Sequence, residues 1–300
     1  MKTNYLFYLI LLTNHMVLGQ DFSSLTKMKD IAHSVYFSSG VENRAKKIYA
    51  DVEKADQFFQ KEFKVTSNFT LLILSPKDWP NYAAKGAIYG IPHYTSDNLL
   101  IVASDNNMFW KRNIPPLELL PKSLADQMIN IYSDEYGELN LSKGFDLLAV
   151  HELAHAYQKS AGMIKQRLWQ NELFANILLH AYLAQNAPEQ IPNIGVFTKS
   201  ILAATPQDKL KYTSLTDFEN YYNDLGRNYP DNYGWYQSRF HLMAEEIYDD
   251  GGMELVRKLW DALLKQTKIL DETELMNVLN STHPALEKAL RNWDNFNPPQ

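Results

Sequence analysis

The hydrophobic and polar positions change rhythm once along the chain, near Pro115. Before that point short apolar runs mix with one long helical stripe. "IAHSVYFS" (Ile31 to Ser38) alternates loosely and predicts a strand. Val41 to Phe63 carries apolar residues at Ala45, Ile48, Tyr49, Val52, Ala55, Phe58 and Phe59, the stripe of an amphipathic helix. "NFTLLILS" (Asn68 to Ser75) reads as a buried strand ended by Pro76. "KGAIYGIP" (Lys85 to Pro92) and "NLLIVAS" (Asn98 to Ser104) predict two further strands joined through His93 to Asp97. After Pro115 the spacing is almost wholly helical, punctuated at Gly162, Pro188, Pro192, Pro206, Pro230, Gly251 and Gly252. The expected fold is therefore α+β: a small N-terminal mixed sheet with helices, followed by a mainly helical C-terminal lobe. The expected division is 21–162 and 163–300, with a cleft between the two parts.

The first twenty residues, "MKTNYLFYLILLTNHMVLGQ", differ in kind. Lys2 supplies a positive start, and Tyr5 to Leu12 form an apolar run too short to span a bilayer. Val17 and Gly19 are small enough for a signal-peptidase site, so residues 1–20 read as a signal peptide and the protein as secreted or periplasmic. A buried N-terminal helix is the competing reading.

Composition narrows the partners. The formal charge is −6, and loss of Lys2 with the leader would make it −7. Such a mildly acidic surface gives no electrostatic footprint for nucleic acid. No later segment is long and apolar enough to insert stably in a membrane. The 300 residues include no cysteine, so a metal could be bound only through His and carboxylate groups.

That restriction gives weight to "VHELAHAYQ" (Val150 to Gln158). Ser142 is the expected N-cap of its helix and Gly162 the stop. Residues four apart on a helix are offset by about 40° and about 6 Å, so His151 and His155 can pinch one ion. Glu152 stands about 100° round from His151, beside the pair and able to face a water. Zinc needs a third protein ligand and keeps a fourth position open. Glu172, in "NELFAN", follows His155 after sixteen intervening residues, room for a helix end, a turn and an antiparallel return.

With that residue the chain resembles the gluzincins, the zinc metallopeptidases that include thermolysin and the zinc aminopeptidases. The matching residues are His151, Glu152, His155, Asn171 and Glu172. A metzincin pattern is excluded, since its third histidine and preceding glycine would fall at Ala161 and Gln158. The resemblance implies a zincin-like fold, one Zn²⁺ per chain held by His151, His155 and Glu172, and Glu152 as general base. Asn176 stands where thermolysin-like members carry an aspartate that orients a zinc histidine; its amide oxygen can still accept an imidazole N–H, more weakly. "YQSRFHLMAEEIYDDGG" is similar to the tyrosine-bearing helix of peptidase MA-like members, which implies Tyr236 as oxyanion donor, Tyr233 next and His241 third. An edge strand upstream of the motif holds the substrate main chain in this group, and Gly86, Ala87, Ile88 and Tyr89 are its expected counterpart. No Glu or Asp lies between Asp78 and Asp97 to grip a substrate amine, which turns the expectation from exopeptidase to endopeptidase. The expected function is an exported zinc-dependent hydrolase of peptide or protein substrates. The rival is a secreted binding or scaffold protein that keeps the fold and the metal without turnover.

Overall fold

The structure, a computed structural model, describes residues 21–294. The expected signal peptide lies outside these residues.

Strand β1 (Thr26–Lys27) leads into β2 (Ser34–Phe37), and α1 (Glu42–Phe63) crosses to β3 (Thr70–Leu74). The short α2 (Trp79–Tyr82) and a looped segment follow, then β4 (His93–Tyr94) and β5 (Leu99–Ala103). The sheet order is β1-β2-β3-β5-β4. β2, β3 and β5 run parallel, with Leu72 paired to Tyr36 on one side and Ile101 on the other. β1 and β4 close the edges antiparallel.

A parallel sheet must be covered on both faces, and its strands here are correspondingly apolar throughout. Leu71, Ile73, Leu100 and Val102 point into one core with α1 and the later helices. Leu72, Leu74, Ile101 and Ala103 point into a second, with Trp79, Trp110 and Met128. The period of two along each strand thus assigns alternate residues to opposite layers.

The expected strand at Lys85 to Pro92 does not form. Gly86 (φ 82°) and Gly90 (φ 106°) adopt left-handed backbone that breaks an extended run. The indoles of Trp79 and Trp110 donate to the carbonyls of Ala87 and Gly90, taking acceptors a sheet ladder would have used. Gly90 has a further constraint, because a Cβ there would sit 2.6 Å from the Asn107 carboxamide. His93 and Tyr94, expected in the connection, supply the edge strand instead.

The helical part comprises α3 (Met108–Arg112), α4 (Lys122–Tyr132), α5 (Ser142–Phe145), α6 (Leu148–Ser160), α7 (Leu168–Asn186), α8 (Ile191–Ala204), α9 (Leu215–Asn228), α10 (Pro230–Leu264), α11 (Glu272–Thr282) and α12 (Pro284–Arg291). α7 is buried on every side from Trp169 to Leu183, apart from Glu172, and forms the axis of this half. It packs along α10 and against α6. α10 kinks at Gly252, whose φ of 55° and ψ of −161° leave the helical region. One core runs from the sheet through α6 and α7 to α12, so the apolar interior is continuous across residues 162 and 163.

Candidate metal centre

The helix that carries "HELAH" is α6, and its two ends are fixed differently. Ser142 does not cap it: Ser142 begins α5, and α6 starts after the bend at Asp146 and Leu147. That bend is anchored by an ion pair between buried Asp146 and Arg44 of α1. At the other end Gly162 (φ 73°) takes the left-handed position, with Gly162 N donating to Lys159 O and Met163 N to Gln158 O. This is a Schellman stop, available at low cost because the residue is glycine. The chain then turns back into α7, whose first turn faces the histidines. Glu219 of α9 accepts the Leu168 amide at 2.7 Å and so fixes the start of α7.

The histidines and Glu172 converge. Nε2 of His151 and Nε2 of His155 are 3.2 Å apart. Oε2 of Glu172 lies 3.3 Å from the first and Oε1 lies 3.6 Å from the second. An ion about 2.0–2.1 Å from three tetrahedral donors sets donor–donor edges of about 3.3–3.4 Å. The three spacings, taken through both carboxylate oxygens of Glu172, are therefore close to those zinc sets between its ligands, and the donor types are ones that zinc accepts. Among the described residues this is the one such group of three or more metal-binding side chains.

The electrostatics agree with a preassembled ligand set. Burial alone would raise the Glu172 carboxyl, but the imidazoles of His155 and His151 outweigh it and hold the group well below the usual carboxylate range. For His151 burial disfavours the charged form, yet the carboxylates of Glu172 and Glu152 outweigh it and lift its pKa. Gln237 of α10 donates to Glu172 Oε2 at 3.3 Å, a further hold on the carboxylate.

Each histidine has an amide beside it. Asn176 lies against His151, where its side-chain hydrogen bond helps to lift the imidazole pKa, and its Nδ2 donates to the Glu172 carbonyl within α7 at 3.0 Å. Asn171 lies against the other histidine, its Nδ2 3.0 Å from Nδ1 of His155. Binding an ion through Nε2 puts the proton on Nδ1, which requires the Asn171 carboxamide turned so that its oxygen accepts that proton. Asn171 was legible as part of the motif, though not as the orienting group.

The cluster opens on a cavity of about 190 Å³. Glu152 is half-buried and lines it, as do Glu172, Asn176, Tyr233 and Gln237. The α10 contribution is a helical stripe: Pro230, Tyr233, Gly234, Gln237, Ser238 and His241. Tyr236 is off that stripe, about 100° round from Gln237. It is fully buried, stacked on Trp293, and donates its hydroxyl to the Ser214 carbonyl at 2.7 Å. The placement expected of Tyr236 is thus taken by Tyr233. Burial first, then the carboxylates of Glu172 and Glu152, push the Tyr233 phenol up, so it is a protonated donor near neutral pH. Tyr222 of α9, which the sequence did not single out, packs edge-on to it with ring centroids 6.3 Å apart. Nothing in the α9 stripe marks Tyr222, since the packing of α9 against α7 brings it there.

Of the four expected substrate-strand residues only Ile88 lines the cavity, joined by Ile91 and Pro92. Tyr89 turns away and packs on Trp79. Gly86 and Ala87 lie in the turn described above. Among the described residues three other histidines lie away from the cavity: His33 is 3.1 Å from Asp56, His93 accepts from the Ala84 amide, and His283 caps α12. His180 is buried in α7 behind His241, outside the cluster.

The chain is thus an α+β protein with a buried two-histidine, one-carboxylate centre at the wall of an apolar cavity. Comparisons with family models, with curated proteins and with solved structures return no match.

Proposed function

We propose that the chain is an exported zinc-dependent endopeptidase of the gluzincin kind on a zincin-like fold. The observation that carries the reading is the triangle of His151, His155 and Glu172, with Glu152 and Tyr233 on the same cavity. Export rests on the first twenty residues alone. No helix among the described residues is long and apolar enough to cross a membrane.

His151, His155 and Glu172 would hold one Zn²⁺, which when bound supplies a Lewis acid for a carbonyl oxygen and lowers the pKa of water toward about 7. Glu152 accepts the proton of the attacking water and passes it to the leaving amine. Tyr233 donates its hydroxyl proton in a hydrogen bond to the carbonyl oxygen as that oxygen gains charge. Asn171 keeps the His155 ring in the tautomer that exposes Nε2. Ile88, Ile91 and Pro92 form the wall along which a peptide can lie. Among the described residues, Glu152 and Glu172 are the only carboxylates lining the cavity. Both are committed, and none remains for a free amino terminus, which favours internal cleavage.

Metal analysis tests the ligand set. Protein purified without chelators should carry about one zinc per chain, and Glu172→Ala should carry almost none while its circular dichroism stays native. A native protein free of tightly held transition metal would overturn the assignment. Asn171→Ala should weaken zinc binding by about 10–100-fold, the usual effect of losing an orienting partner. Competition with a chromogenic chelator measures it, and an unchanged affinity would remove Asn171 from the site.

A further inference from the structure

Apart from the candidate metal centre, the lining of the cavity combines an apolar wall with a set of enclosed polar residues, here called its floor. The walls include Phe145, Leu148, Ile194, Phe197 and Ile201. The floor carries Asn176, Thr198, Ser238 and His241, each less than a tenth exposed. Thr198 Oγ1 already donates to the Gly195 carbonyl and Asn176 Nδ2 to that of Glu172. His241 is not committed in this way: its ring lines the cavity and makes no hydrogen bond among the described residues, and since Nδ1 is fully enclosed, Nε2 is the atom left to meet a group in the cavity. A buried polar group left unpaired is destabilising, so such groups are retained where a water or ligand group completes them.

The charge of the floor limits what that group can be. No lysine or arginine lines the cavity. The nearest cation on α8, Lys199, is paired with Glu245 at 3.2 Å. A carboxylate tip would therefore have no free partner. Nor does the floor hold a carboxylate for an ammonium or guanidinium tip. A neutral tip that both donates and accepts is the match. The stem above it must be apolar, and two of the three phenyl rings in the walls, Phe145 and Phe197, lie 5.4 Å apart in a tilted pair that suits another aromatic ring.

We infer that this cavity is the specificity pocket for a tyrosine side chain of the substrate, with His241 on the floor as hydrogen-bond partner of the phenol hydroxyl. The inference rests on reading the adjacent centre as that of a peptidase, and it makes the preferred substrate a peptide with tyrosine next to the scissile bond. His241 in this role reads the substrate and does not act on the reacting carbonyl. A pocket built to bind a hydroxyl discriminates against the analogue that lacks it far more strongly than an apolar pocket discriminates by size.

Two measurements on the full chain test it together. The first compares kcat/KM for quenched-fluorescent peptides that differ only as tyrosine or phenylalanine at one position. The second compares binding of N-acetyltyrosinamide and N-acetylphenylalaninamide by ligand-observed NMR, which needs no turnover. Tyrosine should be preferred by about tenfold or more in both. The preference should vanish in His241→Leu and survive in part in His241→Gln, which keeps a neutral polar tip. The ratio within each protein is read, so a general loss of rate does not mimic the effect. Equal use of the two residues by the native protein would overturn the inference. So would a His241→Leu variant that slows on both peptides with its ratio intact, an outcome that would place His241 at the reacting carbonyl. If His241→Leu does not fold, the native ratio and His241→Gln decide. Preferential tyrosinamide binding with no cleavage of any peptide would uphold the pocket and refute the peptidase reading, so the two failures are distinct.

Discussion

Glu152→Gln should retain about one zinc per chain and a native fold while hydrolysis falls by about two to four orders of magnitude. The substitution keeps the shape of the side chain and removes only its basicity. Glu152 is on the same helix as both histidine ligands, one residue after His151, yet is not part of the three-residue donor group. It is half-buried on the cavity wall, where a base can meet a water and later a leaving amine. Because the lost function is proton transfer, kcat should fall with little change in KM. Inductively coupled plasma analysis of the variant separates the roles. Loss of zinc would make Glu152 a ligand, and undiminished turnover would remove it from the chemistry.

The fold was legible where the signal is local. The stripe of Val41 to Phe63 becomes α1, and the apolar runs before Pro76 and after Asp97 become β3 and β5. Each is set by periodicity and a terminator in the same short window. The run at Lys85 to Pro92 misled because its apolar residues suggest a strand while its glycines adopt φ angles that forbid one. Trp79 and Trp110, which capture its carbonyls, lie outside the run, eight and 20 residues from the carbonyls they hold. The convergence of His151, His155 and Glu172 was legible for the reason α1 was: the two histidines are one helical turn apart, and Glu172 sits just after the return. The rest of the cavity wall is made by packing between helices far apart in the chain. Tyr222 is on α9 and Gln237 on α10, and both meet Glu172 only because α7 is buried between its neighbours. The tyrosines of α10 show the limit most clearly. Three positions separate Tyr233 from Tyr236, and no pattern within the helix tells which faces α7.

Tyr233→Phe should lower kcat by about two to three orders of magnitude, the range for one lost oxyanion donor. A phenol that bonds the carbonyl oxygen mainly as charge develops there contributes to the transition state and little to substrate binding, so KM should hardly move. Tyr236→Phe makes the comparison informative because it deletes the same hydroxyl three residues away. Tyr236 donates to the Ser214 carbonyl at the start of α9 and is fully buried. Its loss should cost about 1 kcal/mol of stability, visible in chemical denaturation, with kcat nearly unchanged. Tyr222 is an alternative donor from α9, since it lies against Tyr233 and feels the charges of Glu172 and Glu152. Tyr222→Phe should therefore fall between the other two in kcat, by loosening the Tyr233 hydroxyl without removing it. A large kcat loss in Tyr222→Phe beside an active Tyr233→Phe would transfer the donor role to α9. If kcat fell only in Tyr236→Phe, the active conformation would need a rotation of α10 about its axis, and the cavity described for this structure would not be the one that binds substrate.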